Sequence, residues 1–262
     1  MREIKLAFAG EIFSIKFKNN KSFSAFLKQH RRFLTDGKPN FSLIFYNNSE
    51  KKNLFSVSIK QKSNNKIIRI KNLKYLERSF ATKRLEIGME QPIGLENYLR
   101  VFLSHYLFRR GGFLLHASTI GHKNKAYVFT GPSGVGKSTI ARISRDKRIL
   151  TDDIVAVRRI NHRYHAFATP FGIQSRGIGS IHLPIAGIYL ISHAEKTVCE
   201  RIPPVPALTK VMSNIVLMGT GTQDLPIDKL FDNCYNLVKT TPCYELPFNK
   251  NENIWRFLKD AG

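Results

Sequence analysis

Acidic side chains are scarce in this chain: 19 Asp and Glu stand against 42 Lys and Arg, a net charge of +23 over 262 residues. Cysteine occurs three times, as Cys199, Cys234 and Cys243. An odd number without metal-ligand spacing excludes a disulfide framework and a zinc module, and reads as reduced thiols. No apolar run approaches the ~20 residues that a membrane-spanning helix needs. The start, Met1-Arg-Glu-Ile-Lys, is no signal peptide, because the apolar stretch behind it is short and broken by Glu11, Lys16 and Lys18. A cytoplasmic location is the resulting expectation. No internal repeat is present, and low complexity is confined to Lys/Asn-rich turns.

The positive charge is spread along the chain: +13 falls in residues 1–100 and +10 in the rest. Such a field attracts polyanions, anionic membranes or acidic substrates. Abundant Lys, Asn, Ile and Phe give the simpler explanation of a compositional bias. No aromatic-interleaved basic motif or zinc finger marks a dedicated nucleic-acid module, so nucleic acid is not the expected partner.

Length allows one large domain or two small ones. Residues 1–92 read as a β-rich N-terminal region suited to docking a substrate, and 93–262 as a second domain. Ile4–Phe8 and Ile12–Phe17 flank Gly10 like a hairpin. Phe23, Phe26, Leu27 and Phe33 lie near helical spacing, and 41–46, 54–59 and 67–70 read as strands between polar turns. A helix is expected from Gly94 to Arg109, stopped by Gly111-Gly112. Further strands are expected at 113–120, 126–130, 149–157, 162–169, 186–191 and 241–248. Helices are expected from Pro203 to about Met218, over 228–239, and over 251–259 around Trp255.

One stretch carries chemistry directly: Gly131-Pro132-Ser133-Gly134-Val135-Gly136-Lys137-Ser138-Thr139. It is a complete G-x-x-x-x-G-K-[ST] phosphate-binding loop. The apolar run Ala126–Thr130 before it reads as a buried strand, and Ser138–Ile143 as the start of a helix, which is the setting the motif requires. The glycines let successive N–H groups converge on one anion. Lys137 supplies a charge for β and γ phosphates, and the Ser138 hydroxyl a ligand for Mg²⁺. The chain is therefore expected to bind a nucleoside triphosphate.

The loop alone does not separate a kinase from a switch. Asp152 and Asp153 follow Lys137 by 15 and 16 residues, in the expected strand 149–157. Alternation sends their side chains to opposite faces unless the strand ends and twists there. Phosphoryl transfer needs one carboxylate for Mg²⁺ and one to position the attacking hydroxyl and take its proton. His116 precedes Gly131 by 15 residues, in an apolar strand where a lone histidine is more often a core residue than a catalyst. Arg176 sits in a second Gly-rich segment, 172–179, and suits bidentate binding of phosphate or carboxylate. A surface turn is the alternative there.

Leu115-His116-Ala-Ser, Phe129–Thr139 and Leu150-Thr-Asp-Asp-Ile-Val155 together resemble the C-terminal domain of HPr serine kinase/phosphorylase and its relatives. Ile173–Ile181 resembles that family's second signature more loosely. The resemblance covers roughly 111–260. It implies an α/β fold of mixed α+β character, a phosphate-loop domain like that of phosphoenolpyruvate carboxykinase with a mixed, largely antiparallel-edged sheet. It also implies ATP-dependent phosphorylation of a serine hydroxyl. Carried over residue by residue, it places Lys137 on the β and γ phosphates and Ser138 on Mg²⁺. The pair Asp152/Asp153 supplies the base and a metal contact; which of the two is the base stays open, and Asp153 is a candidate for both roles. His116 lies at the active site, and Arg176 is the signature arginine. Gln174 replaces the signature glutamate, which favours a one-way kinase. The overall layout resembles the small HPr-kinase-like proteins of peptide-modification clusters, whose members phosphorylate a serine of a precursor peptide or a small hydroxylated metabolite.

The leading expectation is an ATP- and Mg²⁺-dependent kinase acting on a serine of a peptide or protein, with an acidic substrate favoured by the charge. A kinase for a free amino acid or sugar shares every core residue. A nucleotide-regulated binder of polyanions is the non-enzymatic alternative, and the Asp pair and His116 speak against it. An oligomer is compatible with each.

Overall fold

The computed structural model describes residues 1–18, 20–47, 56–62, 65–71, 73–89, 95–172, 179–216 and 227–258. Its contacts divide them into two compact units, one from Met1 to Tyr106 and one comprising Leu107–Val216 with Pro226–Gly262. Both mix helices with sheets.

In the first unit, β1 (Arg2–Phe8) and β2 (Glu11–Phe17) form the expected hairpin across Ala9 and Gly10, both with positive φ. Strands β3 (Phe41–Asn47) and β6 (Arg84–Met89) continue the sheet in the order β1-β2-β3-β6, parallel from β2 onward. Parallel neighbours need crossover connections. Helix α1 (Asn20–His30) supplies one between β2 and β3. Between β3 and β6 lie β4 (Ser56–Lys62) and β5 (Asn65–Lys71), paired as a separate hairpin, and α2 (Leu73–Thr82). Besides the expected strands and helix, the region holds α2 and β6, which have no counterpart in the expected elements. Helix α3 (Leu95–Phe108) carries Phe102 and Tyr106 into a ring cluster with Phe13, Phe41 and Phe80. Burial of such rings contributes roughly 1.5–3 kcal/mol each.

The second unit begins with β7 (Phe113–His122) and β8 (Lys125–Thr130), an antiparallel pair turning at Lys123-Asn124, both with positive φ. Then come α4 (Lys137–Ile143), β9 (Arg148–Thr151), β10 (Ile154–Ile160) and β11 (Arg163–Phe167). They are followed by β12 (His182–His193), β13 (Glu200–Ile202), α5 (Pro204–Met212), α6 (Ile227–Thr240) and β14 (Cys243–Phe248). The strand order is β11-β10-β7-β8-β12-β14-β13, with β9 also on β7 and β11 also on β12. Strands β8, β12 and β14 are parallel and form the centre; antiparallel strands flank them on both sides. The long strands β7 and β12 each change partner along their length. β7 pairs with β10 over 113–116 and with β8 over 117–122. β12 pairs with β11 over 182–184 and with β8 over 185–190. The sheet thereby folds over and its first five strands close a ring.

Two expected elements are shorter than read. The helix after Pro203 ends at Met212, and the closing helix over 251–259 is one 3-10 turn, Ile254–Arg256. Positions 217–226 and 259–262, with the expected end at Met218, lie outside the described residues, as do 48–55, 63–64 and 90–94. Strand 149–157 is not one strand: it breaks at the Asp pair.

One core cluster joins Phe129, Tyr189, Tyr244 and Phe248 to Ile140 of α4 and Ile254 of the last turn. Phe129, Tyr189 and Tyr244 stack at 5.3 and 5.1 Å between centroids. Phe129 near the end of β8 and Phe248 at the end of β14 carry this cluster up to the loop that follows β8, where Phe248 lies against Gly136.

Candidate active site

Strand β8 delivers the chain at Gly131 directly into the loop whose sequence reads as phosphate-binding. Gly134 and Gly136 have φ of 80° and 104°, a left-handed conformation open to glycine at little cost. Gly136 also lies against the core. A Cβ there would come within 2.8 Å of Phe248 Cζ and 3.7 Å of His193 Cε1. At Gly131 a Cβ would meet the Ile191 carbonyl at 2.9 Å, so the loop begins flush against β12. Gly134 faces empty space, and Pro132, Ser133 and Ser138 are exposed at the rim.

Lys137 is buried, and its ammonium donates to the carbonyls of Gly131 at 2.7 Å and Pro132 at 2.8 Å. Burial lowers its pKa, while the negative charge of Asp153 opposes the shift. A buried cation held by two neutral carbonyls gains from an incoming anion. That donor set fits a phosphate group: a buried ammonium, an exposed Ser138 hydroxyl, and a loop with room above Gly134.

The Asp pair owes its geometry to the break between β9 and β10. Both strands run along the same partner, β7, with β9 opposite Thr119–Gly121 and β10 opposite Phe113–His116. Between them the Thr151 hydroxyl accepts from the Asp153 N–H at 3.3 Å and donates to the Phe171 carbonyl at 3.2 Å. A Thr hydroxyl bonding the N–H two residues on gives the backbone an alternative to the ladder. The break parts the two carboxylates. Asp153 is half-buried, with Oδ1 3.5 Å from His116 Nε2, and its charge is felt by Lys137. Asp152 is nearly buried, and its Oδ1 lies where a Cβ on Gly172 would fall. Gly172, at φ 102°, thus leaves the space that Asp152 fills.

His116 sits at the end of the β7–β10 pairing, across from Ile154. Its N–H donates to the Asn214 carbonyl at 2.9 Å, and its carbonyl accepts from the Thr130 hydroxyl at 2.9 Å. The next residue, Ala117, donates to the Asp153 carbonyl at 3.0 Å. Backbone bonds on both sides therefore hold the histidine beside the loop and the carboxylate.

Of the residues singled out from sequence, His116 and Asp153 come together, and the Asp153 charge reaches Lys137 within the loop. Asp152 is adjacent in sequence but turned toward Gly172. Arg176 and Gln174 lie in 173–178, outside the described residues. Among the described residues no three His, Cys, Asp or Glu side chains gather as a metal cluster. Cys234 and Cys243 are buried thiols pushed up to about 12, burial being the main cause, and so lack thiolate character.

Sequence reasoning missed a cavity of about 330 Å³ beside the loop, walled by Gly131, Pro132, Ser192, Lys210, Asn214 and Glu245. It lies at the C-terminal edge of β8, β12 and β14, the edge where open α/β sheets take their ligands. Lys210 and Glu245 are 35 positions apart and fall in unrelated-looking segments. The parallel order β8-β12-β14 brings Glu245 to the loop, and α5 lays Lys210 beside it.

No family model matches the chain, and no curated protein matches it. Among solved structures it is similar to the HPr(Ser) kinase/phosphatase from Coxiella burnetii. The two are 12% identical over 47% of this chain and 90% of that one, with a TM-score of 0.28.

Proposed function

We propose that the chain is a phosphotransferase that moves the γ-phosphoryl group of a nucleoside triphosphate, ATP by the family resemblance, onto a hydroxyl. The observation that carries this is the convergence of three side chains. Asp153 lies 3.5 Å from His116 and acts electrostatically on Lys137, whose ammonium rests on the first two residues of the phosphate loop. A passive nucleotide binder has no need of a carboxylate braced by a histidine at that spot.

Each residue has a role that its setting supports. Lys137 exchanges the Gly131 and Pro132 carbonyls for phosphate oxygens. Gly131–Thr139 wraps the phosphates with backbone N–H groups. Asp153 accepts the proton of the attacking hydroxyl, and His116 keeps its carboxylate oriented. Asp152, held against Gly172, anchors the turn that presents Asp153. Mg²⁺, for which Ser138 is the candidate ligand once Asp153 is taken as the base, would neutralise charge on the phosphates when bound. The sparse protein ligand set suits this ion, which keeps waters and substrate oxygens. Arg176 remains assigned to phosphate or acceptor by resemblance alone, and transfer in one direction follows from Gln174 in the same way.

A serine in a peptide or protein is the acceptor that the resemblance implies. The modest volume of the cavity beside Gly131, about 330 Å³, favours the second reading, a small hydroxylated metabolite.

The test is transfer of labelled γ-phosphate from ATP to serine, free and within peptides, by the wild type, Asp153→Asn and Lys137→Ala. Asp153→Asn is expected to keep nucleotide affinity and lose transfer by about 10²–10⁴-fold. Lys137→Ala is expected to bind ATP more weakly by calorimetry. Undiminished transfer by Asp153→Asn removes the base assignment.

A further inference from the structure

We infer that the cavity beside the phosphate loop is the acceptor site, and that its acceptor is a free α-amino acid carrying a side-chain hydroxyl. This rests on the phosphotransferase reading and names its substrate.

Three observations point there. First, the cavity's wall includes Gly131 and Pro132, the two residues on whose carbonyls the Lys137 ammonium rests. That ammonium meets the β and γ phosphates in a loop of this kind, so the cavity adjoins the transferring end of the nucleotide. Second, Asn214 in its wall accepts the backbone N–H of His116, which in turn faces Asp153. One residue therefore separates the cavity from the proposed base. Third, the wall holds one cation and one anion, Lys210 and Glu245, paired to each other with side chains 51% and 43% exposed. An exposed pair of this sort is weak and is readily exchanged for other partners. A zwitterion satisfies both at once: its carboxylate pairs with Lys210 and its ammonium with Glu245. A serine inside a peptide presents neither charge. About 330 Å³ is at the lower end of small-molecule sites and takes an amino acid rather than a folded segment.

In the reaction the side-chain oxygen forms a bond to the γ-phosphorus and the bond from that phosphorus to the β,γ-bridging oxygen breaks. The nucleoside diphosphate leaves with the electron pair, and the hydroxyl proton passes through one water to the His116–Asp153 pair. The products are an O-phosphoamino acid and the diphosphate.

The experiment compares L-serine, N-acetyl-L-serine amide and L-alanine on the full chain with ATP and Mg²⁺. L-serine is expected to be phosphorylated. The amide, which has the hydroxyl but neither charge, is expected to be a poor acceptor. L-alanine, which has both charges and no hydroxyl, is expected to inhibit competitively with L-serine. Lys210→Ala and Glu245→Gln are each expected to raise KM for L-serine on the order of 10- to 100-fold, the worth of a lost charged hydrogen bond, while affinity for a non-hydrolysable ATP analogue is kept. Equal turnover of the amide and L-serine, or an unchanged KM in both variants, overturns the acceptor assignment and leaves the kinase reading intact. Lys210-dependent binding of L-serine by calorimetry without transfer to any acceptor supports the pocket and overturns the kinase reading.

Discussion

At the residue scale, the site depends on a few contacts with little tolerance. Gly172 is one. Any Cβ at that position meets the Asp152 carboxylate, and φ of 102° adds backbone strain. Gly172→Ala is expected to cost about 1–3 kcal/mol of stability and to displace the Asp152-Asp153 turn. Chemical denaturation with parallel assays of transfer checks this. A lower midpoint together with reduced transfer is the expected outcome; full transfer would show that Asp152 does not anchor the turn. His116 shows how little a single position reveals in sequence. A histidine in an apolar strand reads first as core. What makes it a candidate site residue is the register that sets it opposite Ile154, one position from Asp153. Asp152 and Asp153 were legible as a pair but not as two different environments. That difference comes from the Thr151 hydroxyl breaking the strand between them.

At the element scale, the short helix α4 is held from its C-terminal side. Ser144 is fully buried at its end, and its Oγ accepts the Trp255 indole N–H at 3.0 Å. The Lys147 ammonium lies 4.8 Å above the Trp255 ring, and Ile254 and Ile140 share a core cluster. The turn Ile254–Arg256 therefore braces the helix that carries Lys137. Ser144→Ala is expected to lower stability by about 1 kcal/mol and to shift the emission of the only tryptophan. An unchanged melting temperature and spectrum would contradict the brace. Most elements of this unit were legible because their patterns are strong: Phe113–Ile120 and Ala126–Thr130 are nearly continuous apolar runs that fill a buried sheet. The misread ones have local causes. Strand 149–157 looks continuous because Leu150, Ile154, Val155 and Val157 outweigh the two aspartates in any pattern. Helix α2 was passed over because it follows directly on the strand-like run 67–70, within a stretch dense in lysine.

At the scale of the whole molecule, buried histidines couple stability to pH. His30 is fully buried on α1, stacked on Phe26 at 4.0 Å, with Nδ1 2.9 Å from the Phe26 carbonyl. Burial lowers its pKa below 6.5, and the carbonyl only partly offsets this. His165 on β11 is lowered too, by burial first and then by His182 and Arg163. A folded-state pKa below the unfolded value means that the unfolded chain binds the proton first as pH falls. Their contribution is therefore intact above about pH 6.5 and is lost progressively as the pH drops below it. Urea denaturation between about pH 7 and pH 5 should show stability falling with acidification, and His30→Phe should flatten part of that slope. A slope unchanged by the substitution would mean that His30 takes up its proton over the same pH range in the folded and unfolded states. The +23 charge acts in the same direction, since each added proton increases self-repulsion.

The central claim is that the loop, Asp153 and His116 form one phosphotransfer site. Incubating the wild type and Asp153→Asn with γ-labelled ATP, Mg²⁺ and serine acceptors, after calorimetry has established nucleotide binding by both, tests it most directly. The account predicts that both proteins bind ATP and that only the wild type forms a phosphoserine. Binding of ATP by neither protein, or equal phosphoserine formation by both, would contradict it.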